Sequence, residues 1–190
     1  MSDRVLILVA ISIILALVFG TSLQMRKPQT VSPLLIEQVS VAKVPRPLSD
    51  IASVDADGAS LPFNARITRP TIINFWATWC IPCLRELPTL GQFKAMADAA
   101  GIDVLMVSED KEGAGPPVKV LAEKGLSHLR LVVDADGSVA KAHRVNGMPT
   151  TLIVNEKGVE IARMTGEADW SQKASLDVVT GLLNGTLPEQ

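Results

Sequence analysis

The chain has 190 residues, which is enough for one domain of ordinary size together with an additional segment. Its formal net charge is −2, and it has no basic cluster and no strip of basic residues interleaved with aromatic ones. These features argue against a nucleic-acid-binding protein.

An apolar segment opens the chain. Residues 5–20 are apolar apart from one serine, and the run continues to Met25. Counted to Met25, it reaches the roughly 20 residues that a helix needs to cross a bilayer. The apolar core is longer than that of a usual signal peptide, although Gly20 and Ser22 offer a weak cleavage site. We therefore predict that residues 1–25 are a retained membrane anchor, with a cleaved signal peptide as the alternative.

The next segment has the composition of a linker. Residues 26–49 contain four prolines among scattered apolar residues, which is typical of an extended linker, here with a short helix around residues 34–39. We expect the folded domain to occupy residues 50–190. It opens with a β-hairpin, because two short strand-like runs, residues 51–54 and 59–61, flank an Asp-Ala-Asp-Gly turn.

Both cysteines of the chain lie where a predicted strand gives way to a predicted helix. Residues 71–76 are a short apolar run rich in β-branched and aromatic residues, which is typical of a buried strand. Apolar residues then recur at helical spacing over residues 84–97. Cys80 therefore lies at or just before a helix N-terminus, where free amides and the helix dipole stabilise a thiolate. We predict that Cys80 is the nucleophile and that Cys83, one turn further into the helix, resolves the mixed disulfide.

The residues beside Cys80 should adjust its reactivity and its contacts. Pro82 suits the first helical turn because its missing N–H would have no helical partner there. It also removes one potential amide donor to Cys80, so Ile81 and Pro82 should tune the stability of the thiolate. We place Trp79, Ile81 and Pro82 in the substrate-binding surface.

Strands and helices alternate through the rest of the chain. A strand is predicted to follow the helix directly, and this β-α-β crossover makes the two strands parallel. The complete order predicts an α/β sandwich with a mixed central sheet flanked by helices. The predicted elements are strand 103–108, helix 118–124, strand 129–133, short helix 138–145, a hairpin of strands 150–155 and 159–164, and helix 170–183.

A second motif, Val-Asn-Gly-Met-Pro-Thr-Thr at residues 145–151, opens a later strand. Together with Trp-Ala-Thr-Trp-Cys-Ile-Pro-Cys at residues 76–83, it resembles the thioredoxin superfamily. The likeness is greatest to the TlpA/ResA branch, whose members carry NFWATWCxPC. The resemblance covers roughly residues 50–185 and implies a thioredoxin-like sandwich with an added N-terminal hairpin.

The resemblance assigns roles to the second motif. It implies that the peptide bond between Met148 and Pro149 is cis and lies against the dithiol. It also implies that the backbone at Met148 pairs with an extended segment of a partner protein, as in strand addition. Gly147 and Met148 are accordingly predicted to bind substrate, and Pro149 to belong to the catalytic site.

Glu86 is the fourth predicted catalytic residue. Asn74 stands where thioredoxin has a buried aspartate, and an amide cannot take the proton that the aspartate takes. Glu86, three residues after Cys83, matches a glutamate near the dithiol in ResA-like proteins. The resemblance therefore implies that Glu86 transfers the proton, with a solvated carboxylate of no special role as the alternative.

The same resemblance implies a function, a location and partners. The chain would be a thiol-disulfide oxidoreductase, and more specifically a reductase of protein disulfides in cytochrome c maturation or in copper-site assembly of cytochrome oxidase. Its partners would be apocytochrome c, or a copper chaperone or oxidase subunit, and a membrane electron donor of the DsbD/CcdA type. The domain would face the bacterial periplasm from a single-pass inner-membrane anchor, and the redox-active disulfide Cys80–Cys83 would serve without any other cofactor.

The sequence argues against some other uses of the two cysteines and leaves two of them open. A bridge that encloses only two residues removes little unfolded-state entropy, so a purely structural disulfide is disfavoured. A zinc site is disfavoured as well, because there is no second cysteine pair and His128 and His143 lie apart from the motif as ordinary surface or packing residues. A Cu(I)-binding module stays open, since Cu(I) accepts two thiolates. An oxidase or isomerase of the same fold also stays open, since it differs only in redox poise.

Overall fold

A single eight-stranded sheet forms the centre of the structure. The computed structural model describes residues 39–186. The strands are β1 Val39–Pro47, β2 Ala52–Asp55, β3 Ser60–Pro62, β4 Thr71–Trp76, β5 Asp103–Ser108, β6 Arg130–Val133, β7 Thr150–Val154 and β8 Val159–Thr165. The helices are α1 Ile81–Ala99, α2 Gly115–Glu123, α3 Ser138–Ala142 and α4 Lys173–Leu183, and a 3-10 turn spans Asn64–Arg66.

The sheet is mixed, with the strand order β1-β8-β7-β4-β5-β6-β2-β3. Strands β4, β5 and β6 are parallel to one another, and all other neighbours are antiparallel. The predicted β-α-β crossover and both predicted hairpins are therefore confirmed. The first hairpin lengthens the main sheet, because β2 pairs with β6.

The central strand β4 is buried on both faces, which explains its unbroken apolar sequence. Ile72 and Trp76 belong to the cluster that packs against α1 and α4. Ile73 and Phe75 point to the opposite face, where residues of α3 and the segments around β2 and β3 cover them. Side chains of successive strand residues alternate between faces, so this one strand joins the two halves of the core.

The linker prediction for residues 26–49 is wrong for its second half, because β1 occupies Val39–Pro47. This strand pairs with β8 and lies at the edge of the sheet. Proline is tolerated on an edge strand, since an outward-facing backbone position needs no N–H partner. The described part of the domain thus begins at Val39, earlier than the predicted residue 50. The first half of the predicted linker lies outside the described residues.

The predicted membrane anchor, residues 1–25, also lies outside the described residues. Between residues 39 and 186, no helix is both long and apolar enough to span a bilayer.

Helix α4 begins at Lys173, three residues after the predicted start. Two other helix boundaries differ from the predicted ones for reasons visible in the chain. Helix α2 begins at Gly115, three residues before the predicted start, because two prolines fit its first turn. Helix α3 ends at Ala142, before the predicted residue 145. Arg144 has a φ angle of 55°, in the left-handed region, so the helix cannot continue through it.

Candidate active site

The first functional element is the turn between β4 and α1, which carries both cysteines. Cys80 is the N-cap of α1 and has an extended backbone, and Pro82 lies in the first helical turn. The Cys80 Sγ accepts a hydrogen bond from the backbone N–H of Cys83 at 3.3 Å. Cys80 and Cys83 form a disulfide whose Cα atoms are 5.3 Å apart. The predicted position of Cys80 at the helix N-terminus is confirmed.

Cys80 and Cys83 differ in how much of their surface is exposed to solvent. Cys80 retains 7% of its surface, while Cys83 is completely buried. Their neighbours Trp79 and Ile81 are 63% and 61% exposed. An incoming group can therefore reach Cys80 from a surface of exposed apolar side chains, while Cys83 is available only through Cys80.

A buried carboxylate, Asp110, fixes the turn from the side of β5. Asp110 has no exposed surface and accepts hydrogen bonds from the backbone N–H and the hydroxyl of Thr78. It also accepts one from the hydroxyl of Ser108. Sequence reasoning missed this residue. The available signal was the parallel pairing of β4 and β5, which brings the residues after both strands to the same edge of the sheet.

The two sequence motifs meet in one cleft of about 600 Å³. Its walls are Trp79, Cys80, Ile81 and Pro82 on one side and residues 145–148 on the other. Glu109 also lines it and was not anticipated from the sequence. The structure thus brings together the five residues predicted to bind substrate and the predicted nucleophile.

The peptide bond between Met148 and Pro149 is cis, as the resemblance implied. Met148 itself lines the cleft. The carbonyl of Gly147 accepts the hydroxyl of Thr150 at 2.7 Å, and the carbonyl of Pro149 accepts the N–H of Gly166 at 2.9 Å. Within residues 39–186, the N–H and C=O of Met148 make no hydrogen bond. The backbone of Met148 is therefore free to pair with an added strand.

Glu86, in the second turn of α1, lies in the interior of the domain. It retains 2% of its surface, so the alternative of a solvated carboxylate is wrong. One of its oxygens accepts the amide of Asn74 at 2.7 Å, and the other accepts the backbone N–H of Ala168 at 3.1 Å. Since positions 83 and 86 lie three residues apart on α1, Cys83 and Glu86 share one face of the helix.

Burial raises the pKa of Glu86 from 4.5 to about 7. Hydrogen bonds from Asn74 and Ala168 oppose this rise in pKa because they favour the ionised form. The indole N–H of Trp170 lies near enough to act in the same direction, although it falls short of a full hydrogen bond. Glu86 can consequently gain or lose a proton close to neutral pH.

Neither histidine lines this cleft. His128 is exposed. His143 is buried between Val139, whose carbonyl lies 2.7 Å from its Nδ1, and Ser49, whose N–H donates to its Nε2 at 3.1 Å. Burial lowers the pKa of His143, because it disfavours the charged form of the imidazole.

The sequence of this chain is similar to a family model and to several known proteins. The family model described as Redoxin matches residues 42–179. Thiol-disulfide oxidoreductase ResA of Geobacillus kaustophilus is 31% identical over 97 residues, which are 50% of this chain and 53% of that protein. The thiol:disulfide interchange protein DsbE homolog of Paracoccus denitrificans is 36% identical over 95 residues, half of each chain. The chain thus spans about half the length of these relatives.

A solved structure gives the same fold. The structure of a putative thiol:disulfide interchange protein DsbE from Chlorobium tepidum superposes with a TM-score of 0.63 and 24% identity. The match covers 75% of this chain and 99% of that one. The predicted thioredoxin-like α/β fold with a mixed sheet is therefore confirmed.

Proposed function

Since this chain belongs to the Redoxin family of the thioredoxin superfamily, we propose that it is a thiol-disulfide oxidoreductase that reduces specific protein disulfides. The observation that carries the proposal is the position of Cys80. Its sulfur caps a helix, accepts the N–H of Cys83 and faces the free backbone of Met148 across one cleft.

The first chemical step is attack by the Cys80 thiolate on one sulfur of a substrate disulfide. A bond forms between Cys80 and that sulfur, and the other substrate sulfur leaves as a thiolate. The helix N-terminus and the Cys83 N–H stabilise the negative charge on Cys80 before attack. The backbone of Met148 holds the substrate segment by strand pairing while the bond forms.

The second step resolves the mixed disulfide. Cys83 loses its proton and attacks the sulfur of Cys80, which forms the internal disulfide and releases the second substrate sulfur as a thiolate that takes a proton from solvent. Glu86 takes the proton from Cys83, because it lies on the same face of α1 and has a pKa of about 7. The pair ends oxidised by two electrons, and a thiol donor must return them.

The finer proposal concerns partners and location, and it rests on the resemblance to the TlpA/ResA branch. The substrates are disulfides in apocytochrome c or in a copper chaperone or oxidase subunit. A membrane protein of the DsbD/CcdA type supplies the electrons. The domain works in the bacterial periplasm, tethered to the inner membrane by residues 1–25.

Two cysteine variants test the proposal. In Cys80→Ser, turnover of a protein disulfide should vanish, since no nucleophile reaches the cleft. In Cys83→Ser, a stable mixed disulfide should accumulate, visible as a mass increase that dithiothreitol reverses. If Cys83→Ser traps nothing while Cys80→Ser does, the assigned roles are reversed, and if neither variant loses turnover, the proposal fails.

A further inference from the structure

Arg163 on β8 reaches across to the segment that leads into the cleft. Its Nη2 donates to the carbonyl of His143 at 2.9 Å, and its Nη1 donates to the carbonyl of Arg144 at 3.1 Å. These two carbonyls immediately precede residues 145–148, which form one wall of the cleft. One guanidinium therefore holds the backbone at the entrance to the predicted substrate-binding segment.

Glu160 holds Arg163 in that position. The Nε and Nη2 of Arg163 donate to the two carboxylate oxygens of Glu160 at 2.6 and 2.7 Å. The side chain of Glu160 is 3% exposed and that of Arg163 is 16% exposed. A bidentate pair with this little freedom fixes the plane of the guanidinium, and so directs its remaining donors.

A β-bulge makes this pair possible. Strand residues three positions apart normally point to opposite faces of a sheet. The register between β7 and β8 shifts by one residue, because Ile153 pairs with Ala162 while Val154 pairs with Glu160. The extra residue, Ile161, turns Glu160 to the face that carries Arg163.

The backbone that Arg163 holds has an unusual conformation. Arg144 has a φ angle of 55°, at the position after α3 where the N–H of Val145 bonds to the carbonyl of Ala140 at 2.9 Å. Helices that end in this way commonly carry glycine at the left-handed position, since a side chain is disfavoured there. The chain has arginine instead, and the two hydrogen bonds from Arg163 favour this turn.

We propose that Arg163 is a positioning residue that holds the turn at Arg144 and thereby sets the substrate-binding wall at residues 145–148. The proposal rests on the proposed function, because the wall matters only if an extended substrate segment docks on it. Arg163 acts at the docking wall and leaves the dithiol itself unchanged. Its loss should therefore slow reaction with an extended substrate and spare reaction with a small disulfide.

Two probes that release the same chromophore separate these effects. The first is a short apolar peptide whose cysteine carries a thionitrobenzoate group, and the second is the small disulfide 5,5′-dithiobis(2-nitrobenzoate). In both, the Cys80 thiolate first displaces thionitrobenzoate. The small disulfide then releases a second thionitrobenzoate when Cys83 resolves the mixed disulfide, so the rate of each variant is compared with the wild-type rate on the same probe. In Arg163→Met of the reduced full-length chain, we expect the peptide rate to fall about tenfold, since small misplacements of a bound group slow reaction strongly. The rate with the small disulfide should change by no more than about twofold.

Arg163→Lys is the second variant, in case the loss of charge beside Glu160 prevents folding. Lysine keeps the ion pair, but its single ammonium cannot hold the carboxylate and two carbonyls in one plane, so the peptide rate should still fall. Lys173→Met is the control, because it removes an exposed lysine paired with Asp177 on α4. Both rates should stay unchanged in this control.

The substitution Arg144→Gly tests whether Arg163 acts on the peptide rate by holding the turn at position 144. Because glycine adopts the left-handed turn freely, Arg163→Met combined with Arg144→Gly should recover most of the peptide rate. Equal loss of both rates in the Arg163 variants, no loss in either, or no recovery with Arg144→Gly would overturn the proposal. Failure of the reduced wild-type chain to release thionitrobenzoate from either probe would instead contradict the proposed function.

Discussion

Replacing Glu86 by Gln should change how the stability of the chain depends on pH. Below pH 4.5 this carboxyl is protonated in both the folded and the unfolded chain. Between 4.5 and about 7 it ionises only in the unfolded chain, because burial raises its folded-state pKa. The unfolded state then binds fewer protons than the folded state, so the free energy of unfolding falls as pH rises through this window and levels off above it.

The size of the effect follows from the shift in pKa. A rise from 4.5 to about 7 corresponds to a loss of about 3 kcal/mol in the free energy of unfolding. Glutamine has nearly the same shape and does not ionise. The side-chain NH₂ of glutamine takes the place of one of the two carboxyl oxygens. There it faces the N–H of Asn74 or of Ala168, so two hydrogen-bond donors meet. That mismatch costs roughly 1–3 kcal/mol at every pH.

The measurement is urea unfolding of both oxidised proteins at pH values from below 4.5 to about 8. All other titrating groups are common to the two proteins, so they cancel in the difference between the two free energies of unfolding. This difference should move in favour of Glu86→Gln by about 3 kcal/mol as pH rises. A difference that stays constant across the range would refute the reasoning, since it would mean that Glu86 ionises in the folded chain as it does in water.

Three further predictions concern single side chains. His143 has a pKa lowered by burial, so the wild-type chain should lose stability relative to His143→Gln as pH falls below about 6.5, which urea unfolding measures. Asp110→Ala removes the acceptor for Thr78 and Ser108 and should lower the free energy of unfolding by about 2–4 kcal/mol, with the exposed Asp57→Ala as control. Trp79→Ala removes a side chain that is 63% exposed and should slow reaction with protein disulfides while changing stability by no more than about 0.5 kcal/mol.

For each of these three predictions, one result would contradict it. The role of His143 would be contradicted if the two proteins lost stability in parallel on acidification. For Asp110, a loss no greater than that of the control would mean that the turn holds without it. For Trp79, equal slowing with a small disulfide would show that the side chain affects the dithiol directly.

The parts of the structure that were predicted are those with a local signal. The apolar run of β4, the helical spacing after it and the turn residues between hairpin strands each specify their element within a few residues. The dithiol and the motif around Pro149 carried the resemblance, which supplied what local patterns could not: the two motifs meet in space. Cys80 and Met148 accordingly line the same cleft.

The parts that were missed depend on contacts between residues distant in the sequence. The prolines near Pro47 indicated a linker, yet an edge strand accepts them once β8 lies beside it. Asp110 has its role only because β4 and β5 are parallel neighbours. The pairing of Glu160 with Arg163 requires a bulge, and a bulge is defined by the pairing of β7 with β8, which the sequence of β8 alone does not give.

The central claim is that the Cys80–Cys83 pair works as a reductant of protein disulfides. Its most direct test is the reduction potential of this pair in the detergent-solubilised full-length chain, equilibrated in glutathione and dithiothreitol buffers. The account predicts a value near or below the roughly −270 mV of thioredoxin. A value near the roughly −120 mV of DsbA would contradict it, because such a pair would oxidise its partners.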